Sequence, residues 1–377
     1  MKKVLVFLPI LVSVPFTIFF LNNLIDDVPI NWEELALGKE TFSPHSYLQN
    51  GLRVYAKYED KVIHCEALEG CSLNAYKKDR NKKILWLGNS QLHAINQFKK
   101  GQILTSEHLF RKLLAKKNDL LTVSFPSANL QEHFVTFSSV SLDIELSKLI
   151  VGVVFDDFRE EGVRFEIAKS LSQGDLRSVL SNSEIGRQIL QDNQKNTDIE
   201  DEFSGIVDTL QEHSEKNLNE FLEENTDLWN RRAYLRGYFF NLAYKFRNYI
   251  FNINPSTKRK MIPPRYKKNW RALEEILKQA NKSDIKVLLY VAPIRNDVDI
   301  PYIKEEYENF KDNLQELSLK YKSNFLNLED LIGAEDWGLK DSTNVTGEAE
   351  IDYMHFQESA HKDLSNALYD YLNTSTY

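Results

Sequence analysis

The residues best able to do chemistry lie near opposite ends of the chain. Near the front, ILWLGNSQ (84–91) places Ser90 directly after an apolar run of strand length. Near the back, DYMHF (352–356) sets Asp352 three residues ahead of His355. A serine hydroxyl is a weak nucleophile until a base takes its proton, and that base needs a third group to orient it. Ser90 as nucleophile, His355 as base and Asp352 as orienting carboxylate would fill those roles. Each half also has a plain structural reading. A serine after a strand suits a helix cap, and D-x-x-H alone is a weak signal. Together they point to acyl transfer through a covalent acyl-serine.

Such residues must be brought together by the elements between them. Short apolar runs at 84–88, 120–125, 149–155, 286–293 and 324–328 lack polar alternation, which suits strands buried on both faces. Helix-length segments follow at 91–101, 129–146, 301–321 and 356–373. Strands alternating with helices predict a doubly wound, three-layer α/β/α fold with a parallel sheet. In such a sheet the chemistry sits at the carboxyl ends of strands, where Ser90 falls. Residues 30–80 read as a loop-rich lead with one strand at 52–58. A mainly helical insertion is expected at about 158–282.

The composition is ordinary for a globular chain: 377 residues, 42% hydrophobic, with 14 Gly and 10 Pro. A net charge of −8 argues against a general nucleic-acid binder. No nucleotide, dinucleotide or zinc-protease motif occurs, so no cofactor and no metal are expected. Val4–Leu21 is uncharged and apolar, with Lys2 and Lys3 before it and Asp26 and Asp27 after it. Its 18 residues nearly span a hydrocarbon core of roughly 30 Å, so residues 1–29 are expected to be a membrane anchor with its N-terminus cytoplasmic. A cleaved signal peptide is the rival reading. Either places residues 30–377 outside the cytoplasm. There Cys65 and Cys71 would form a disulfide or remain as two idle thiols.

Charge is unevenly spread through the expected insertion. Residues 192–227 hold twelve acidic residues against Lys195 and Lys216, whereas 228–271 hold twelve Lys or Arg and no acidic residue. Within the basic part, Leu235, Tyr238, Phe239, Leu242, Phe246, Tyr249, Ile250 and Ile253 recur at helical spacing. Such a helix would pack on the sheet, flank the Ser90 site, or meet a membrane or an anionic polymer.

The chain resembles the SGNH (GDSL-type) hydrolases over about 84–373, on Gly88-Asn89-Ser90 at the first block and Asp352 with His355 at the last. The resemblance implies Ser90 as nucleophile, His355 as base and Asp352 as its partner. It also implies that Ser127 stands where a glycine lends an oxyanion N–H. Asp156 stands where an asparagine side chain donates. An ionised carboxylate only accepts and would repel an oxyanion, so either Asp156 is protonated, or Asn129, or backbone N–H groups near Ser90 and Ser127, must serve instead. The single anchor and large insertion are similar to bacterial proteins that modify cell-surface polymers, of the D-alanyl-lipoteichoic acid transfer and alginate-acetylation kinds. That likeness implies a membrane-bound O-acyltransferase partner and a cell-surface polysaccharide or anionic polymer substrate. The alternative is a non-catalytic scaffold or polymer-binding partner. Arg295 is placed to meet an anionic substrate, His93 to line the site or face solvent, and His361 is expected at the surface. Adjacent Asp156 and Asp157 point apart and offer no metal site.

Overall fold

The computed structural model describes residues 53–55, 57–58, 61–62, 82–93, 104–114, 118–193, 242–340 and 342–374. The expected anchor, Cys65 and Cys71 lie outside them. Two compact units are present. The larger holds the described residues up to 193, together with 254–342 and 347–374.

That unit is built on a six-stranded sheet. Its strands are β1 (Arg53–Tyr55), β4 (Lys82–Gly88), β5 (Asn118–Ser124), β6 (Leu146–Val153), β7 (Lys286–Val291) and β8 (Asn324–Asn327), in the order β1-β5-β4-β6-β7-β8. All pairings are parallel except β1, which runs antiparallel along β5. A two-residue pair, β2 (Lys57–Tyr58) with β3 (Lys61–Val62), stands apart, so the strand expected at 52–58 is divided.

Successive side chains on a strand point to opposite faces, and here both faces are dry. Leu85 and Leu87 of β4 enter one core; Ile84 and Trp86 enter the other. The first core lies beneath α2 (Leu130–Asp143), α4 (Pro263–Lys282) and α5 (Lys304–Lys320). The second lies beneath α1 (Thr105–Leu114) and α6 (Glu358–Thr374). The three-layer parallel α/β architecture is therefore as the apolar runs indicate. Each buried Leu or Val contributes about 1.5–3 kcal/mol of transfer free energy.

The helix α4 shows how sequence makes these layers. Prolines at its first turn need no intrahelical N–H partner. Ala272, Leu273, Ile276, Leu277 and Ala280 then form one stripe buried on the sheet. The region expected as an insertion thus closes with a helix of the sandwich itself. Two other expectations change. Ser90 starts a three-residue 3₁₀ turn (Ser90–Leu92) that ends in extended backbone at His93, and the rest of the helix expected at 91–101 lies outside the described residues. His361 is buried rather than superficial, its Nδ1 2.7 Å from Thr105 Oγ1 between α6 and α1.

Strand order reverses between β4 and its neighbours β5 and β6, and the crevice at their carboxyl ends is the sheet's switch point. Ser90 follows β4 directly. Among the described residues no helix is long and apolar enough to cross a membrane.

Of the smaller unit, residues 242–253 and 343–346 are described, with a helix over 242–250.

Candidate active site

The turn that carries Ser90 is fixed from three sides. Gly88 ends β4 where Leu92 folds back, and a Cβ there would lie 2.2 Å from Leu92 Cδ1. Asn89 Oδ1 accepts the Gln91 N–H at 3.1 Å, and its Nδ2 donates to Asp157 Oδ2 at 3.1 Å. Gln91 Nε2 donates to Pro293 O at 2.6 Å. The turn is thereby tied to the segments leaving β6 and β7, its neighbours in the sheet. Ser90 itself stays half-buried, with an open side.

The base arrives on a separate hairpin of β9 (Trp337–Lys340) and β10 (Glu350–Phe356). Register shifts between Ile351 and Phe356, so Asp352 and His355 sit in a bulge rather than on a turn entering the last helix. Asp352 Oδ1 accepts the N–H groups of Met354 (2.9 Å) and His355 (3.0 Å), closing a local side-chain turn. That turn brings the imidazole over its own carboxylate. His355 Nδ1 lies 2.9 Å from Asp352 Oδ2, and His355 Nε2 lies 2.9 Å from Ser90 Oγ. Residues 265 apart in sequence thus meet within hydrogen-bond distance. The main-chain bond from Arg295 N–H to Tyr353 O (3.1 Å) ties the hairpin to the segment after β7, and Gln357 N–H to Asp336 O (2.8 Å) closes the hairpin's own base.

Both carboxylates behind this array are buried, with opposite outcomes. Burial pushes the Asp352 carboxyl up, but the His355 imidazole charge, its hydrogen bond and two backbone N–H bonds outweigh that and hold it below its usual value. Asp157 is pushed well above its usual value because burial outweighs its bonds from Val154 N–H and Asn89. Asp157 was weighed in the sequence only as a metal ligand. Here it is the anchor for Asn89, and a carboxylate two residues past the apolar run 149–155 was the signal.

The remaining candidates are placed as follows. Ser127, exposed at the turn after β5, has φ 51°, the left-handed region where a glycine is at home. Arg164 braces that turn, donating from Nη2 to Pro126 O at 2.9 Å and from Nε to buried Glu132 at 2.8 Å. Asn129 caps α2, accepting from Gln131 and Glu132 N–H, and gives an amide hydrogen to Gly162 O. It serves the helix and the 162 loop. Asp156 is held by Arg159 Nη1 at 2.6 Å, by Arg259 Nη1 and by the Tyr302 hydroxyl at 3.1 Å. Two cations surround one anion, so the repulsion of a nearby oxyanion expected from Asp156 is neutralised locally. Arg295 turns away from any anionic ligand: its guanidinium forks onto Asp297 at 2.8 and 3.1 Å and reaches Gly338 O. His93 does not rival His355; it is buried, with Nε2 3.1 Å from Ser124 Oγ.

Fold and site together define a parallel-sheet α/β protein with a Ser–His–Asp array at its switch point. No family model matches the sequence, and no curated protein resembles it. Among solved structures, the chain is similar to a proposed acylhydrolase of Bacteroides fragilis (7% identity, TM-score 0.38, 82% of this chain and 97% of that one). It is similar to a GDSL-like lipase of Bacteroides thetaiotaomicron (7%, 0.35, 78% and 89%). A mutant acetyl-xylooligosaccharide esterase of Geobacillus gives 7%, 0.36, 78% and 94%. What the site can do follows from its own side chains.

Proposed function

We propose that the protein is an SGNH-type serine acyltransferase or esterase acting on O-acyl groups of a cell-surface polysaccharide or polymer. The observation that carries this is the unbroken relay from Ser90 Oγ through His355 to Asp352, at 2.9 Å for each link. In the first step the Ser90 proton passes to His355 Nε2 as Oγ bonds to the ester carbonyl carbon. Asp352 accepts the Nδ1–H, fixing the tautomer and stabilising the imidazolium. Collapse of the tetrahedral intermediate breaks the ester C–O bond, and the leaving alkoxide takes the proton from Nε2. An acceptor hydroxyl, or water, then gives its proton to Nε2 as it bonds to the acyl carbon; the Oγ–acyl bond breaks and Ser90 Oγ takes that proton back from Nε2.

Backbone N–H groups of Ser90 and Ser127 are the proposed oxyanion donors, each contributing roughly 3 kcal/mol. The apolar Val4–Leu21 stretch supports a single-pass anchor with this domain outside the cytoplasm; a membrane-bound O-acyltransferase that supplies the acyl group is what the likeness to polymer-modifying proteins implies. A non-catalytic scaffold is the second reading. It is favoured by Asp156, which presents two guanidinium-bound oxygens where a side-chain donor would serve an oxyanion.

A fluorophosphonate probe applied to the full-length protein in detergent separates the two. Labelling that is lost in Ser90→Ala and retained in Ser127→Ala supports the enzyme. No labelling of folded wild-type protein leaves the scaffold.

A further inference from the structure

Six of the ten exposed large hydrophobic side chains among the described residues fall within 242–251. They are Leu242, Tyr244, Phe246, Tyr249, Ile250 and Phe251, exposed by 45, 46, 55, 58, 58 and 70%. At about 100° per residue, Leu242, Phe246, Tyr249 and Ile250 of the helix over 242–250 share one face, and that face is exposed. Asn248, on the far side, is 1% exposed and donates from Nδ2 to Thr343 O at 2.8 Å, while Tyr244 beside it stays 46% exposed. A contiguous stripe of this kind marks a surface that something covers.

Charge identifies the covering phase. Lys245 and Arg247 lie about 90–110° to either side of the stripe by helical geometry, where their heads can rise to phosphates as the apolar side chains sink. Arg247 is set over the Tyr244 ring at 4.6 Å and bonded to Asn248 Oδ1 at 2.7 Å. We propose that the helix over 242–250 is an interfacial membrane-binding element that lies on an anionic lipid bilayer. This is independent of the chemistry at Ser90.

Amides of a helix that a bilayer covers exchange more slowly, and amide exchange reads that burial locally. The test is hydrogen exchange of the full-length protein in detergent, in phosphatidylcholine nanodiscs and in nanodiscs containing phosphatidylglycerol. Local readout keeps the result separate from any hold exerted by Val4–Leu21. Peptides covering 242–251 should exchange about tenfold more slowly in the anionic discs than in detergent. Phe246→Ser/Ile250→Ser and Lys245→Glu/Arg247→Glu should each abolish that slowing, while β7 stays protected as proof of folding. Three results would overturn the proposal. One is equal exchange in all three settings. Another is protection that survives the charge reversal. The third is protection in detergent that grows with protein concentration, which would instead assign the face to a second copy of the chain.

Discussion

Replacing Asp352 by asparagine isolates the electrostatic part of the proposed relay from its structural part. The carboxylate does two jobs. Its Oδ1 accepts the Met354 and His355 N–H groups, and both oxygens face His355 Nδ1, at 3.1 and 2.9 Å. An asparagine can keep Oδ1 on the backbone, which leaves its NH₂ facing Nδ1. Nδ1 must then accept, the ring proton moves to Nε2, and Nε2 can no longer take the Ser90 proton. Loss of the correct tautomer in a Ser–His–Asp array costs about 10⁴ in rate, or about 5.4 kcal/mol of barrier at 1.36 kcal/mol per decade. Asp352→Ala behaves differently, because it also strips two N–H groups of their acceptor at roughly 1–3 kcal/mol for a buried donor. The assay is the second-order rate of fluorophosphonate labelling, with thermal unfolding of the same samples. Asp352→Asn should melt near wild type yet label about four decades more slowly. Asp352→Ala should lose both rate and stability. An asparagine variant labelling within about tenfold of wild type would refute the tautomer argument.

Three further outcomes are expected. Ser127→Gly should raise stability by about 1 kcal/mol, since a non-glycine residue at φ 51° carries a left-handed penalty; denaturant unfolding measures it. Arg164→Met should cost about 3–5 kcal/mol by leaving Glu132 buried without its cation, and adding Glu132→Gln should recover most of that loss in the same denaturant series. His133 in α2 is fully buried with neither ring nitrogen bonded, and burial, aided by the Arg164 charge, lowers its pKa from 6.5 to about 3. The neutral ring is native and the charged ring favours unfolding, so its contribution is whole above pH 6.5 and is lost as pH falls toward about 3. His133→Leu should therefore flatten the acid side of a plot of melting temperature against pH.

The layers were legible because burial on both faces leaves a direct trace. Ile84-Leu85-Trp86-Leu87 has no polar alternation, and its four side chains do divide two by two between the cores. The same logic carried the expected insertion to about 282, because polar length was read as insertion, whereas α4 (Pro263–Lys282) packs on the sheet. The stripe of α4 was present in the sequence, but its frame of Lys and Arg resembled a solvated helix more than a core one. His361 failed for a related reason: a lone histidine in a polar helix carries no sign that Thr105 and the Phe356 ring await it.

The site divides along the same line, between what is local and what needs the fold. Gly88-Asn89-Ser90 and Asp352-x-x-His355 are short local patterns that can be read in sequence, and the fold sets Ser90 and Asp352 each within hydrogen-bond distance of His355. Asp156 could not be interpreted that way, since its state depends on Arg259, 103 residues later. Read alone, it is an anion beside a proposed oxyanion. In the fold, the 254–262 segment lays Arg259 against it, while the Tyr302 hydroxyl bonds to it and approaches the Met354 sulfur at 3.9 Å. Met354 lies between Asp352 and His355. The substitution that weakens the side-chain oxyanion donor is therefore coupled, through Tyr302, to the bulge that carries the base. Neutralising Asp156 with two guanidiniums removes the repulsion without restoring a donor. On the proposed mechanism, oxyanion stabilisation then falls on main-chain N–H groups, and hence on the turn at Ser127 that Arg164 and Glu132 hold in place.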